Sequence, residues 1–210
     1  MLDFATLKEA VIQGDVQKVK ELTQSMIDSG VGPVSIINDG LIPGMTVVGT
    51  RFKAGDMYVP EVLMSAKAMS DGIALVKPMI AESDMPTSGT VVVGTVKGDL
   101  HDIGKNLVNM MLESNGFKVI DLGVDIGEEA FVQAVKAHQP QILGLSALLT
   151  TTMPNMRATI EALKAEGIRD QVKIIIGGAP VSHEFSEQIG ADGYAPDAGS
   201  AADLCRSLLA

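Results

Sequence analysis

The chain has 210 residues, enough for one or two domains with real cores, and a formal net charge of -10 that argues against a nucleic-acid surface, which needs clustered Lys and Arg. Its lone cysteine, Cys205, excludes a disulfide framework and cysteine-based zinc sites. No basic start runs into an apolar signal segment, and apolar runs such as Ile142 to Leu149 are too short to cross a bilayer, so a cytoplasmic protein without membrane contact is expected.

Met1 to about Glu82 reads as helical. Leu2, Phe4, Leu7 and Val11, then Val16, Val19, Leu22 and Met26, fall at three- and four-residue spacing. Gly14-Asp15 and Gly30-Val31-Gly32-Pro33 are breaks, and Asp15 is placed to cap the second helix. A third helix starts near Pro33 and carries Ile36, Ile37, Leu41 and Ile42, with a kink or early end expected at Pro43-Gly44. After a turn at Gly55-Asp56, helical spacing resumes from Tyr58 to Met79. Four amphipathic helices with short connections make a small bundle over residues 1–85.

Ala81 to Gly89 is a polar linker, and beyond it the period changes. Thr90 to Val96, Lys118 to Leu122, Gln141 to Leu148, Val172 to Ile176 and the weaker Gly193-Tyr194 are strand-like. Lys105 to Asn115, Glu128 to His138, Thr152 to Glu166, Glu184 to Ile189 and Ala201 to Leu209 are helical in pattern. Alternation of this kind predicts an α/β domain over residues 88–210, a doubly wound, flavodoxin-like parallel sheet of five strands with helices on both faces.

The chemistry concentrates in Gly98-Asp-Leu-His-Asp-Ile-Gly-Lys-Asn, the loop after the first strand. In an open parallel sheet such a loop lies at the carboxyl end, where ligands bind. It is not a phosphate loop: the glycine spacing is wrong for GxxxxGK[ST], Asn106 stands where Ser or Thr would hold magnesium, and Asp99 and Asp102 would repel a triphosphate. The dinucleotide fingerprint GxGxxG is absent from it as well. His101 can ligate a metal through one nitrogen while a carboxylate, Asp99 or Asp102, orients it through the other. His138 reads as a helix-end residue and His183 as ambiguous, and no ligand set has structural-zinc spacing.

GDLHDIGKN, with DxHxxG inside it, resembles the cobalamin-binding motif of cobalamin-dependent methionine synthase and of the small corrinoid methyl-carrier proteins. Gly144 to Thr150 resembles the family's Ser-containing end of the third strand, and Ile176-Gly177-Gly178-Ala179 its glycine pair after the fourth. Met45 to Gly49, with Phe52, Gly55 and Pro60, resembles the helical cap domain of the same family, so the likeness covers nearly the whole chain.

The resemblance implies a corrinoid cofactor, cobalamin or a relative carried as methylcobalamin, with His101 as lower axial ligand to cobalt and Asp99 bonded to its other nitrogen. Thr152 would support Asp99, where methionine synthase has Ser. Gly98, Leu100, Asp102, Ile103 and Gly104 would complete the binding loop, although Asp102 also reads as a helix-start residue. Ser146, Leu148, Thr150, Gly177, Gly178 and Ala198 would line the slot for the displaced nucleotide tail. Met57, Tyr58, Val59 and Val62 would cover the upper, reactive face, with Tyr58 replacing a Phe; plain helix core is the competing account of the Met and Val residues. The implied function is a non-catalytic methyl carrier between a substrate:corrinoid methyltransferase and a corrinoid:tetrahydrofolate or corrinoid:coenzyme M methyltransferase, with methylamines, methanol, betaines or aryl methyl ethers as donors. A separate reductive activator would keep the cobalt usable. A cobalamin-dependent sensor would join the module to a DNA-binding or signalling domain, and the two expected domains leave no residues for one. A subunit of an adenosylcobalamin mutase would lack a cap of this type.

Overall fold

A computed structural model describes residues 3–80 and 87–210, so Leu2 and most of the expected linker, residues 81–86, lie outside the described residues. The chain divides into two compact units, Met1–Thr87 with Ser114–Gly116, and Ser88–Glu113 with Phe117–Ala210.

The first unit is helical. Helix α1 (Phe4–Ile12) starts where Asp3 Oδ1 accepts from the Thr6 amide at 2.7 Å, and α2 (Val16–Asp28) where Asp15 Oδ1 accepts from the Lys18 amide at 3.0 Å. Leu7, Val11, Val19 and Met26 are buried, the face the helical spacing marks out. Pro33 opens α3 (Pro33–Ser35). The helix does not end early at Pro43-Gly44. The backbone widens into a π-helical stretch, Ile36–Leu41, and continues as α4 (Ile42–Ala54). Proline lacks an N–H and crowds the carbonyl four residues earlier; the wider π turn before Pro43 accommodates both defects without ending the helix. Gly44 serves packing: a Cβ there would lie 2.7 Å from Val11 Cβ on α1. Helix α5 (Val59–Val76) buries Val62, Ala66, Met69 and Val76, and the Tyr58 amide at its start donates to Glu61 Oε2 at 2.8 Å.

The second unit is a parallel sheet in the order β2-β1-β3-β4-β5. Its strands are β1 (Gly89–Thr95), β2 (Phe117–Asp121), β3 (Ile142–Ser146), β4 (Lys173–Gly177) and β5 (Gly193–Ala195). Between them run α6 (Ile103–Glu113), α7 (Glu128–His138), α8 (Pro154–Ala165) and α9 (His183–Ile189), and α10 (Ala198–Leu209) closes the chain. Alternate β1 residues serve two cores. Val91 and Val93 pack with Leu112 and Cys205, while Val92 packs with Phe131 and Ile160. Burial on both faces explains why the strands read as continuous apolar runs.

The register aligns Thr95 with Ser146, Ser146 with Gly177, and Gly177 with Ala195, so four strand ends form one row at the carboxyl edge. Strand order reverses between β1 and β3, which opens a crevice at that edge. β3 is shorter than the apolar run predicts. After Ser146 only the Ala147 amide still reaches the neighbouring strand, at Gly177 O (3.2 Å), and the amides of Leu148 and Leu149 turn toward the loop after β1. α10 begins three residues earlier than its apolar pattern because Asp197 Oδ1 accepts from the Ser200 amide at 2.7 Å.

Two measurements on the protein without ligand test this packing. Gly178 has φ +126°, and a Cβ there would stand 1.8 Å from Ala147 O. Gly178→Ala is therefore expected to lower the thermal midpoint, by a destabilisation of roughly 2 kcal/mol or more. Burial on the inner face of α10 pushes the Cys205 thiol up to about 12, which keeps it neutral. A thiol-specific disulfide reagent should label Cys205 only as fast as the unit opens, so its rate should rise with denaturant.

Candidate functional site

The site is built around the carboxylate of Asp99, in the loop between β1 and α6. Gly98 turns the chain at φ +79°, a left-handed conformation open to glycine. Asp99 is then fully buried, and its carboxylate collects five donors. Oδ1 accepts from the His101 amide at 3.1 Å and is 2.7 Å from His101 Nδ1. Oδ2 accepts from Leu148 N at 2.8 Å, Leu149 N at 3.2 Å and Thr152 Oγ1 at 2.7 Å. Burial alone would push the carboxyl up. The bonds from Thr152, from His101 and from the Leu148 amide outweigh it and hold Asp99 well below the usual carboxylate range.

An ionised Asp99 can only accept, so Nδ1 of His101 is the protonated ring nitrogen. In the neutral ring the lone pair is then on Nε2, and the side chain is 50% exposed. The backbone of the loop is anchored as well. Thr95 Oγ1 donates to His101 O at 2.9 Å, and Asn155 Nδ2 donates to Lys97 O at 2.7 Å. Beyond the histidine, Asp102 accepts from Asn106 through its carbonyl (2.7 Å) and its carboxylate (3.1 Å), in keeping with a place at the start of α6. The buried Lys105 Nζ bonds Asp121 Oδ2 and Asn106 Oδ1, which ties the first turn of α6 to the end of β2.

The loops that meet at Asp99 also expose large apolar side chains: Leu100 and Ile103 on one, Leu148 and Leu149 on the other. Beside them Gly104 faces open space, where a Cβ would meet no atom within 4 Å. A histidine lone pair on a loop that also exposes apolar side chains and a bare glycine fits a flat macrocycle with a metal at its centre. Among the described residues no group of three or more His, Cys, Asp or Glu could hold a metal ion.

The other expected site residues are placed as follows. Ser146 and Gly177 are neighbours in the strand-end row, Leu148, Thr150 and Thr152 lie in the β3–α8 connection, and Ala198 is the first residue of α10. Gly178 follows Gly177, but its glycine is required by the Ala147 backbone irrespective of any ligand. In the helical unit Met57 and Val62 are buried, whereas Tyr58 and Val59 are exposed. His138 ends α7, and His183 at the start of α9 pairs with Glu187 at 3.5 Å. Sequence reasoning missed Thr95, Leu149, Asn155 and the Lys105–Asp121 pair. Leu149 acts through a backbone amide, and the others meet their partners only once the strands are in register.

Thr152 offers a direct test, because among the described residues its hydroxyl is the one side-chain donor on Asp99 besides the histidine itself. Thr152→Val should destabilise the protein by about 1–3 kcal/mol in urea unfolding, since it strips a donor from a buried charge, while Thr152→Ser should retain most of the stability.

Comparison with known proteins agrees with this geometry. Residues 89–203 match the B12 binding domain family, and residues 4–77 match a second family described as B12 binding domain. A corrinoid protein of Desulfitobacterium hafniense (strain Y51) is 45% identical over 206 residues, covering 97% of this chain and 95% of that protein. Trimethylamine corrinoid protein 1 of Methanosarcina acetivorans is 42% identical over 98% of this chain and 96% of its own length. Among solved structures, a chain of the methanol:cobalamin methyltransferase complex MtaBC from Methanosarcina barkeri superposes with a TM-score of 0.87 at 34% identity, covering 98% of this chain and 79% of that one. With a buried carboxylate fixing a histidine at the sheet's switch point, and full-length likeness on both sides of residue 88, the chain belongs to the B12-binding corrinoid proteins of methyltransferase systems.

Proposed function

We propose that this chain is the corrinoid carrier of a methyltransferase system, taking a methyl group from a substrate:corrinoid methyltransferase and presenting it to a second methyltransferase that acts on tetrahydrofolate or coenzyme M. The observation that carries the proposal is the Asp99–His101 pair, 2.7 Å apart, which leaves the ring's lone pair on the outer nitrogen at the carboxyl edge of the sheet. The full-length relatives support it: they include trimethylamine, dimethylamine and monomethylamine corrinoid proteins. Methylamines are accordingly the first donors to try, before methanol, betaines or aryl methyl ethers.

When bound, the corrinoid supplies the cobalt that takes up and gives up the methyl group. The protein's own contribution is orientation and proton control. His101 would hold the lower face through Nε2, while Asp99 keeps the Nδ1 proton in place and strengthens the nitrogen as a donor. Thr152 and the amides of Leu148 and Leu149 keep Asp99 ionised in a buried setting. Leu100, Ile103 and Gly104, with Gly98 and Asp102 behind them, would form the floor beneath the macrocycle. Ser146, Leu148, Thr150, Gly177, Gly178 and Ala198 would border the nucleotide tail. A proton reaching Nε2 would compete with the metal for the His101 lone pair, and the solvent-exposed half of the ring would give that proton a route. A separate reductive activator would restore cobalt after stray oxidation.

The ligand is tested by reconstituting the protein with hydroxocobalamin. Wild type should give a base-off, histidine-ligated absorbance spectrum, and His101→Ala should give a water-ligated one; an unchanged spectrum in the variant would remove His101 from its role. The carrier role is tested by methyl transfer from trimethylamine. It should require an added methylamine:corrinoid methyltransferase, and transfer from donor to folate by the isolated chain would overturn it.

A further inference from the structure

The carboxylate of Asp99 is fixed from the β3 side, but the same residue's backbone is held from the other side of the crevice, by the loop after β2. There Asp125 adopts φ +57°, left-handed backbone that costs a residue with a Cβ free energy and is tolerated best by Asn and Asp. Such conformations persist where the surroundings impose them, and they cluster at functional sites. At Asp125 the surroundings are the histidine loop. Gly98 N donates to Asp125 Oδ1 at 2.7 Å, and Asp125 N donates back to Asp99 O at 3.0 Å. The left-handed turn aims the carboxylate and the amide of one residue at the two peptide units that flank the Gly98–Asp99 peptide.

The flanking bonds locate this clamp. Thr95 N donates to Gly123 O at 3.0 Å and Ile126 N to Thr95 O at 3.0 Å, so residues 123–126 continue along β1 past the end of the regular ladder, to a bridge between Val96 and Ile126. Asp125 is thereby set opposite the turn at Gly98. Four attachments then bear on where the imidazole points: Asp125 on the Gly98-Asp99 backbone, the β3–α8 amides with Thr152 on the Asp99 carboxylate, Thr95 on the His101 carbonyl and Asn155 on the Lys97 carbonyl. The first of these comes from an exposed residue that lies outside the DxHxxG segment.

We propose that Asp125 is a positioning residue for the axial histidine, fixing the backbone of Gly98-Asp99 so that Asp99 holds the His101 ring in the orientation a corrinoid cobalt requires. This rests on His101 being the lower ligand. Asp125 itself touches neither cofactor nor substrate; it acts through Asp99.

The discriminating substitutions follow from the backbone. Asp125→Gly takes up φ +57° without strain and removes the acceptor, at the cost of a freer backbone, whereas Asp125→Asn keeps both an acceptor oxygen and the tolerance for that conformation. Each protein is loaded with hydroxocobalamin and the ratio of histidine-ligated to water-ligated spectrum is measured in the bound fraction. Amide hydrogen exchange at Gly98 is measured in parallel on the protein without corrinoid. In Asp125→Gly the ligated-to-unligated ratio should fall about tenfold, the worth of a hydrogen bond to a charged acceptor, and Gly98 should exchange faster by a similar factor. Asp125→Asn should restore most of both. A wild-type ratio in Asp125→Gly, or an Asn variant as impaired as the Gly variant, would overturn the proposal. If wild-type protein itself gives no histidine-ligated spectrum, it is the ligand assignment that fails, and exchange at Gly98 still reports whether the clamp exists.

Discussion

A buried carboxylate must find donors, and much of the α/β unit's carboxyl edge is arranged to supply them to Asp99. Two elements meet that demand. The β1–α6 loop gives the His101 amide and ring, and the β3–α8 connection gives Thr152 and the amides of Leu148 and Leu149. The β2–α7 loop meets the backbone of the same residue through Asp125. The Asp99 side chain therefore does structural and functional service together. It stitches β3 to β1 across the switch point, and it dictates which nitrogen of His101 faces out.

The same demand explains a departure from pattern. The apolar run Gln141 to Leu148 promises a longer third strand than Ile142–Ser146. The last residues of that run are strand-like in composition, but their amides are worth more to a buried charge than to a neighbouring strand. Leu148 and Leu149 leave the ladder, and their side chains are left exposed beside the histidine. Exposed leucines are a liability on a free surface and an asset against an apolar macrocycle. The backbone of this short segment thus serves Asp99, and its side chains would serve the proposed corrinoid.

The helical unit shows a local rule overridden by its context. Pro43 and Gly44 ordinarily end a helix, yet here the chain passes through a π-helical stretch and keeps going. Gly44 packs where a side chain would collide with Val11, so the residue that weakens the helix also lets α1 approach it. Gly178 is a parallel case in the α/β unit. A glycine pair after the fourth strand suggests room for a ligand, but the Ala147 carbonyl already forbids a Cβ at the second position. Loss of cofactor binding on replacing Gly178 would therefore not by itself locate a tail slot.

The sequence by itself determined the order and type of the elements, because alternating apolar runs and three-to-four spacing are local signals that burial then enforces. It also singled out His101, since a histidine two residues from an aspartate, between glycines, after a β-branched run, is legible without any coordinates. It could not choose between Asp99 and Asp102 as the histidine's partner on residue types alone. The tertiary structure decides that by burial: Asp99 lies beneath the β3–α8 connection, while Asp102 turns to Asn106 on α6. Nor could the sequence reveal Thr95, Leu149, Asn155 or Asp125. Their contributions pass through backbone amides and carbonyls or across 27 and 58 residues of chain, and only the register of a parallel sheet brings such groups together.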